Sequence, residues 1–295
     1  MPFDTAYEAI SEDTDTGHRW AFGTGFTDPL AGVDTAVPTG VGGADLAAYS
    51  LMLGDDALIM SHRLQEWLAR APELEEDTAL ANVALDLLGQ ARLLLTRAGA
   101  ADGSDRTEDD YAFARGEREF RNVRLAEVTD ADFAGLIARL LVFSTWRLAL
   151  LTKLQSSGDP VLAAVASQGV KELTYHRDYA AEWVIRLGDG TDYSRERMQA
   201  GLVAVAPLVP ELFEVSAVER RLMAAGVAPD PGETRAEFDA VIGHVLEAAA
   251  LDMPAVPGLA GVRGQTGRDG VHTEAMGYVL AELQSVARAM PGATW

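Results

Sequence analysis

The chain has 295 residues, 48% of them hydrophobic, enough to bury a full core as one large domain or one domain with appendages. It contains no cysteine, which excludes disulfides, thiolate zinc sites, iron-sulfur clusters and cysteine nucleophiles. A formal net charge of -21 opposes binding to nucleic acid or anionic lipid, and no uninterrupted apolar run reaches the ~20 residues of a bilayer span, so a soluble, cytoplasmic protein with no nucleic acid and no membrane partner is expected.

Residues 1–43 are rich in Gly, Thr, Asp and Pro and show no helical or alternating period, which predicts an extended N-terminal arm whose Trp20, Phe22 and Phe26 could dock on another surface. From about Leu46 to Arg70 the stripe Leu53, Ala57, Met60, Leu64, Trp67 recurs at helical spacing. Pro72, followed by Glu73, Glu75, Glu76 and Asp77, is expected to open a second helix carrying Leu80, Ala84, Leu87, Ala91 and Leu94. An acidic segment, Gly99 to Asp110, and a short charged helix, Tyr111 to Glu119, then interrupt the run. A third helix follows over about Asp132 to Leu154, and a fourth begins with Asp159 as N-cap and Pro160 at its first position and runs to Leu187. Four helices of more than 20 residues with one crossover predict an all-α, ferritin-like four-helix core over residues 44–190. Shorter helices, Ser194 to Val205, Ala217 to Ala225, Thr234 to Leu251 and His272 to Met290, read as a C-terminal helical cover, residues 191–295, packed on the same domain.

A carboxylate-bridged di-iron bundle takes a Glu from each of two helices and Glu-x-x-His from each of the other two, because residues three apart project together into the core. No Glu-x-x-His occurs in this chain. The corresponding helices carry Leu87-Leu88-Gly89-Gln90 and Leu173-Thr174-Tyr175-His176, so Leu87, Gln90, Leu173 and His176 mark a degenerate site. Asp56 lies about as far before the Ala71-Pro72 turn as Leu87 lies beyond it; it is either a surviving first-helix ligand or an acid that is solvated or bonded to arginine. The third helix offers Ser144 and Arg147 at mid-bundle and no carboxylate, and an arginine aimed inward would repel a metal and pair with Asp56 or Glu172. Glu172 and His176, four apart, are expected to bond to each other. The Gly-rich stretch Gly258 to Gly270, with Arg263 and Arg268, reads as a flexible connector in preference to a phosphate cradle, since it lacks Gly-Lys-Ser/Thr and follows no strand.

Several segments carry a family resemblance: Leu53-Gly54-Asp55-Asp56-Ala57-Leu58, Arg63-Leu64-Gln65-Glu66-Trp67, Ala71-Pro72-Glu73-Leu74-Glu75-Glu76-Asp77, Leu85-Asp86-Leu87-Leu88-Gly89-Gln90-Ala91-Arg92, Tyr175-His176, Arg186-Leu187-Gly188-Asp189-Gly190-Thr191, Gly270-Val271-His272-Thr273-Glu274 and Pro291-Gly292-Ala293-Thr294-Trp295. Together they resemble the structural C subunits of bacterial phenylacetyl-CoA epoxidase, over about Leu46 to Trp295. The resemblance implies a ferritin-like, non-catalytic subunit without its own cofactor. It would pair with a homologous A subunit that holds the di-iron site and binds phenylacetyl-CoA, alongside a further oxygenase subunit and a reductase; whether the chain alone forms a homodimer is left open by the sequence. The competing expectation is an autonomous metalloenzyme built on Asp56, Glu66, Glu172 and His176. Two departures from the family pattern stand out: the arm is longer, and Ser144 and Arg147 occupy positions where Asp and His are expected.

Overall fold

Apolar residues at helical spacing build four long helices. The computed structural model describes residues 30–104 and 106–291, and the chain divides into two compact units, residues 1–32 and 33–295. Trp20, Phe22 and Phe26, the expected docking residues of the arm, lie outside the described residues.

The long helices are α1 (Gly43–Gln65), α2 (Leu74–Asp102), α4 (Phe133–Leu154) and α5 (Pro160–Gly188), with a four-residue α3 (Arg124–Glu127) inside the crossover. Around them stand α6 (Asp192–Val205), α7 (Ala217–Ala224), α8 (Arg235–Ala249), α9 (Glu274–Leu283) and α10 (Ser285–Ala289). Helix α1 packs on α2, α4 on α5, and α2 on α5, closing a ferritin-like bundle; α6 and α8 lie against α4 and α5, while α7 and α9 lie against α1. The one β pairing among the described residues is an isolated bridge between Val262 and Gln265.

The start of α5 is as its sequence predicts: the Asp159 carboxylate accepts from Leu162 N–H at 2.9 Å and Pro160 occupies the first helical position. Elsewhere the boundaries move for local reasons. Helix α1 stops at Gln65, and the chain turns through Ala69 at φ 63°, where the Asp77 carboxylate accepts from the amides of Ala69 and Ala71. Helix α2 accordingly opens at Leu74 with Glu73 as its cap, so Pro72 belongs to the turn and not to the helix. The segment expected as a charged helix from Tyr111 to Glu119 is a π-turn, Asp110–Ala114, and a 3-10 turn, Glu117–Glu119. Arg115 breaks it, leaving helical geometry at ψ 146° as its side chain enters the core. The helix expected over His272 to Met290 begins at Glu274 and breaks at Gln284, whose buried amide donates to the carbonyls of Ala112 and Arg115 at 2.9 and 3.0 Å.

Contrary to the sequence expectation, α2 and α4 are long and apolar enough, by length and composition, to cross a membrane. For α4 that character is spent internally, since 94% of its most apolar window is buried in the molecule; for α2 the share is 44%.

Candidate functional site

The centre of the bundle holds an ion network where a metal bundle would gather its ligands. Asp56 on α1 has no exposed surface. Its carboxylate accepts two bonds from Arg268, each at 2.9 Å, and a third from Val123 N–H at 2.8 Å, with the Arg147 guanidinium 3.9 Å away. Burial pushes the Asp56 carboxyl above its ordinary range against the pull of both guanidiniums. Burial likewise opposes the charge on Arg268, but Asp56 and the more distant Glu219 and Glu211 hold its pKa above the usual value. Arg147, on α4 and fully buried, has its pKa brought down to about 10 by burial, with Asp56 opposing.

From Arg147 the network runs across α2 to α5. Arg147 Nε donates to Gln90 Oε1 at 3.1 Å, Gln90 Nε2 donates to Glu172 Oε2 at 2.8 Å, and Gln168 Nε2 donates to Glu172 Oε1 at 2.8 Å. Burial raises the Glu172 pKa, and the two amide donors restrain it. Leu87 and Leu173 are fully buried and apolar, and the Ser144 hydroxyl donates to its own helix at Leu140 O, 2.6 Å away. The expected Glu172–His176 bond does not form: His176 Nε2 lies 3.0 Å from Asp86 Oδ2. The reason is register. Positions 86 and 90 of α2 face 176 and 172 of α5, so the two helices run antiparallel and each polar group meets a partner across the seam before its neighbour one turn away.

Arg268, the nearer of the two guanidiniums at Asp56, comes from the stretch expected to be a flexible connector. That stretch is docked. Arg268 Nη1 also donates to the carbonyls of Met52 and Arg121 at 3.1 and 2.8 Å, and Gly267 N–H donates to Glu211 Oε1 at 3.0 Å. A Cβ on Gly267 would stand 2.1 Å from the Asn122 carbonyl oxygen, so glycine is what lets the loop come close enough for Arg268 to reach the core. Its guanidinium is thereby spent on Asp56, which removes it from any phosphate-cradling role.

Two further buried carboxylates behave in the same way. Asp55 is held by Arg115, with a 2.9 Å contact to Nη1, and by Arg121 N–H at 2.8 Å. Glu127 on α3 accepts from Asn122 Nδ2 at 2.8 Å and faces His272 Nδ1 at 2.7 Å, while His272 Nε2 faces Phe120 O at 3.2 Å. Burial works to lower the His272 pKa, but these acceptors, Glu127 foremost, raise it above the ordinary value. None of the three pairings is announced by spacing, because each partner lies far off in sequence.

These residues do not fit a di-iron centre, whose hard cations require several oxygen ligands per metal. Asp56, the carboxylate bonded to Arg268, is already ion-paired; Leu87 and Leu173 offer hydrocarbon. The divergent set Asp56, Glu66, Glu172 and His176 is not gathered either, since Glu66 pairs with Arg63 at 2.6 Å. Among the described residues the one group of carboxylates with ligand atoms close together is Glu73, Glu75 and Glu76 at the start of α2, none of them in that set. A groove of about 560 Å³ lies between α8 and residues 251–256 and is walled by Phe238, Ile242 and Leu246. Its rim carries Asp239, Glu247 and Asp252, with Arg235 already paired to Asp239, a charge pattern that repels phosphates.

A family model described as phenylacetic acid catabolic protein matches residues 35–295. The chain belongs to this family. A curated relative, the C subunit of the 1,2-phenylacetyl-CoA epoxidase of Escherichia coli (strain K12), is 41% identical over 250 residues, covering 85% of this chain and 99% of the relative. The family match begins within two residues of the unit that starts at Val33.

Proposed function

We propose that this chain is a non-catalytic structural subunit of a multicomponent phenylacetyl-CoA epoxidase in aerobic phenylacetate catabolism. In this reading it holds a homologous di-iron A subunit in its folded, active form and works with a further oxygenase subunit and a reductase in the cytoplasm. The observation that carries the reading is the arginine-filled interior. With Arg268 and Arg147 facing Asp56, and Leu87 and Leu173 on the helices that would bear Glu-x-x-His, the bundle keeps its scaffold and is left without a set of donors for iron. The relative's name, an epoxidase subunit, agrees with a role exercised through assembly.

The test is reconstitution. The di-iron subunit, the further oxygenase subunit and the reductase are assayed for epoxidation of phenylacetyl-CoA with and without this chain. Turnover that depends on the chain, which alone binds no stoichiometric iron and turns over nothing, is the expected result. Full-rate epoxidation in its absence overturns the assignment. The autonomous-metalloenzyme reading requires about two irons per chain after loading.

A further inference from the structure

The outward side of α2 is unlike the surface of a strongly acidic protein. Its most apolar 18-residue window has a mean hydropathy of 1.2, yet only 44% of that window is buried. Leu74 and Leu85 are exposed, Leu85 by 45%. From Thr78 to Ala100 the helix carries three charged side chains, and each is claimed from within the chain: Asp86 faces His176 at 3.0 Å, Arg92 bonds Glu108 at 3.3 Å, and Arg97 pairs with the buried Asp159. A chain with a net charge of -21 therefore presents about six helical turns on which each charged side chain has a partner within the chain, although Asp86 and Arg92 stay 39% and 40% exposed.

Helix α5 continues this face. Tyr175 is 52% exposed and stacks on Tyr179 with ring centroids 6.4 Å apart. Leu85 and Tyr175 are the sequence neighbours of the Asp86–His176 pair, so two large exposed anchors stand at the same level of adjacent helices. Lys171, Asp178 and Glu182 are exposed around Tyr175 on α5, so the face combines an apolar and tyrosine centre with a charged rim, the composition of an interface.

We propose that the α2–α5 face is the surface by which this chain docks its partner, and that the occupant is an apolar helix face of a less acidic, homologous ferritin-like subunit. The proposal rests on the reading given under Proposed function and adds the surface to it. Size agrees. A 29-residue helix is about 43 Å long, and two helices side by side span about 20 Å, which gives roughly 800 Å², one partner's share of a standard stable interface. Charge selects the occupant, because two copies of a chain at -21 repel each other at long range, whereas a less acidic subunit meets the same apolar strip without that opposition.

The experiment co-expresses the full chain with the di-iron subunit of the epoxidase, using wild type, the double variant Leu85→Asp/Tyr175→Glu, and Tyr193→Glu, which alters an exposed tyrosine on α6. Affinity is read by titration and each isolated chain's melting temperature is recorded. The expected result is that wild type and Tyr193→Glu bind alike, while the double variant keeps its melting temperature and loses roughly a hundredfold or more in affinity. If all three bind alike, the surface is wrong and the functional reading stands. If the wild-type chain does not bind, the functional reading fails and takes this inference with it. If the isolated chain is a dimer that the double variant splits, the occupant is a second copy and the proposal is overturned.

Discussion

Arg268→Met isolates the ion pair at the centre of the bundle. In the wild type Asp56 has no exposed surface and receives two bonds from Arg268, one from Val123 N–H and the field of Arg147 at 3.9 Å. Methionine keeps much of the side-chain volume but leaves a buried carboxylate with one hydrogen bond. Removing one partner of such a pair costs about 3–5 kcal/mol, whereas replacing both partners with apolar groups is close to neutral. Arg268→Met is therefore expected to lower the melting temperature by roughly 6–20 °C, and adding Asp56→Leu to restore only part of that loss, because it leaves the buried Arg147 guanidinium without its counter-ion. The pH dependence gives the sign. Burial already holds the Asp56 carboxyl above its ordinary range, and losing Arg268 raises it further. A carboxyl whose folded pKa exceeds the unfolded value of about 3.9 destabilises the fold while charged and relieves it on protonation, so the variant's deficit shrinks as pH falls. Denaturant unfolding of the four members of the cycle across pH measures both effects. A single variant within about 1 kcal/mol of wild type at neutral pH, with an unchanged pH slope, refutes the argument that this pair closes the bundle interior.

Elemental analysis after aerobic and anaerobic iron loading is expected to find far less than the about two irons per chain that a complete bundle site would hold, and a value near two refutes the degenerate-site reading. His272, whose pKa Glu127 and the Phe120 carbonyl raise, contributes stability that is fully present below about pH 6.5 and is lost as pH rises through its folded value. The wild-type melting temperature should thus decline through that window, and His272→Gln should flatten the decline; a wild-type profile without it contradicts the pairing. Gly267→Ala would place a Cβ 2.1 Å from the Asn122 carbonyl oxygen, forcing the loop outward at about 1–3 kcal/mol or more. Because that shift withdraws Arg268, its cost should add less than fully to that of Arg268→Met, and strict additivity in unfolding measurements argues against the shared cause.

The helical scaffold was legible because a 3.6-residue period over 20 or more positions constrains each stripe independently, and the Asp159-Pro160 start was legible because its chemistry is local. What failed was decided at long range. Arg115 and Gln284 break helices that their neighbours favour, one to reach Asp55 and the other to reach the carbonyls of Ala112 and Arg115. The site divides along the same line. That Leu87 and Leu173 deprive the bundle of carboxylates could be read from spacing, and so could the alternative of an arginine partner for Asp56. Arg147 does approach that carboxylate, but the nearer partner, Arg268, stands 212 positions away in a glycine-rich stretch with no period to read. His176 misled because a four-residue separation indicates which groups share a helix face and not what the facing helix offers; α2 presents Asp86 to His176 and Gln90 to Glu172.

Buried ion pairs are poor evidence for net stability, since well-packed hydrocarbon often does as well, so their placement carries more meaning than their number. Asp55 and Asp56 on α1 and Glu127 on α3 each claim a side chain from outside the four long helices: Arg115 from the crossover, Arg268 from the glycine-rich loop and His272 from the segment before α9. Three carboxylates thus tie the crossover and the C-terminal segment to the bundle by partners that hydrocarbon could not specify. A wrong register would leave a buried charge unpaired, which is far costlier than a shifted leucine. An interior arranged in this way fixes the relation of the bundle to its surrounding segments. Meanwhile Leu85 on the outer side of α2 and Tyr175 beside it on α5 are left exposed, facing neither the core nor those segments. The rigidity of the interior holds these two side chains at one level of adjacent helices, where a partner can meet both at once.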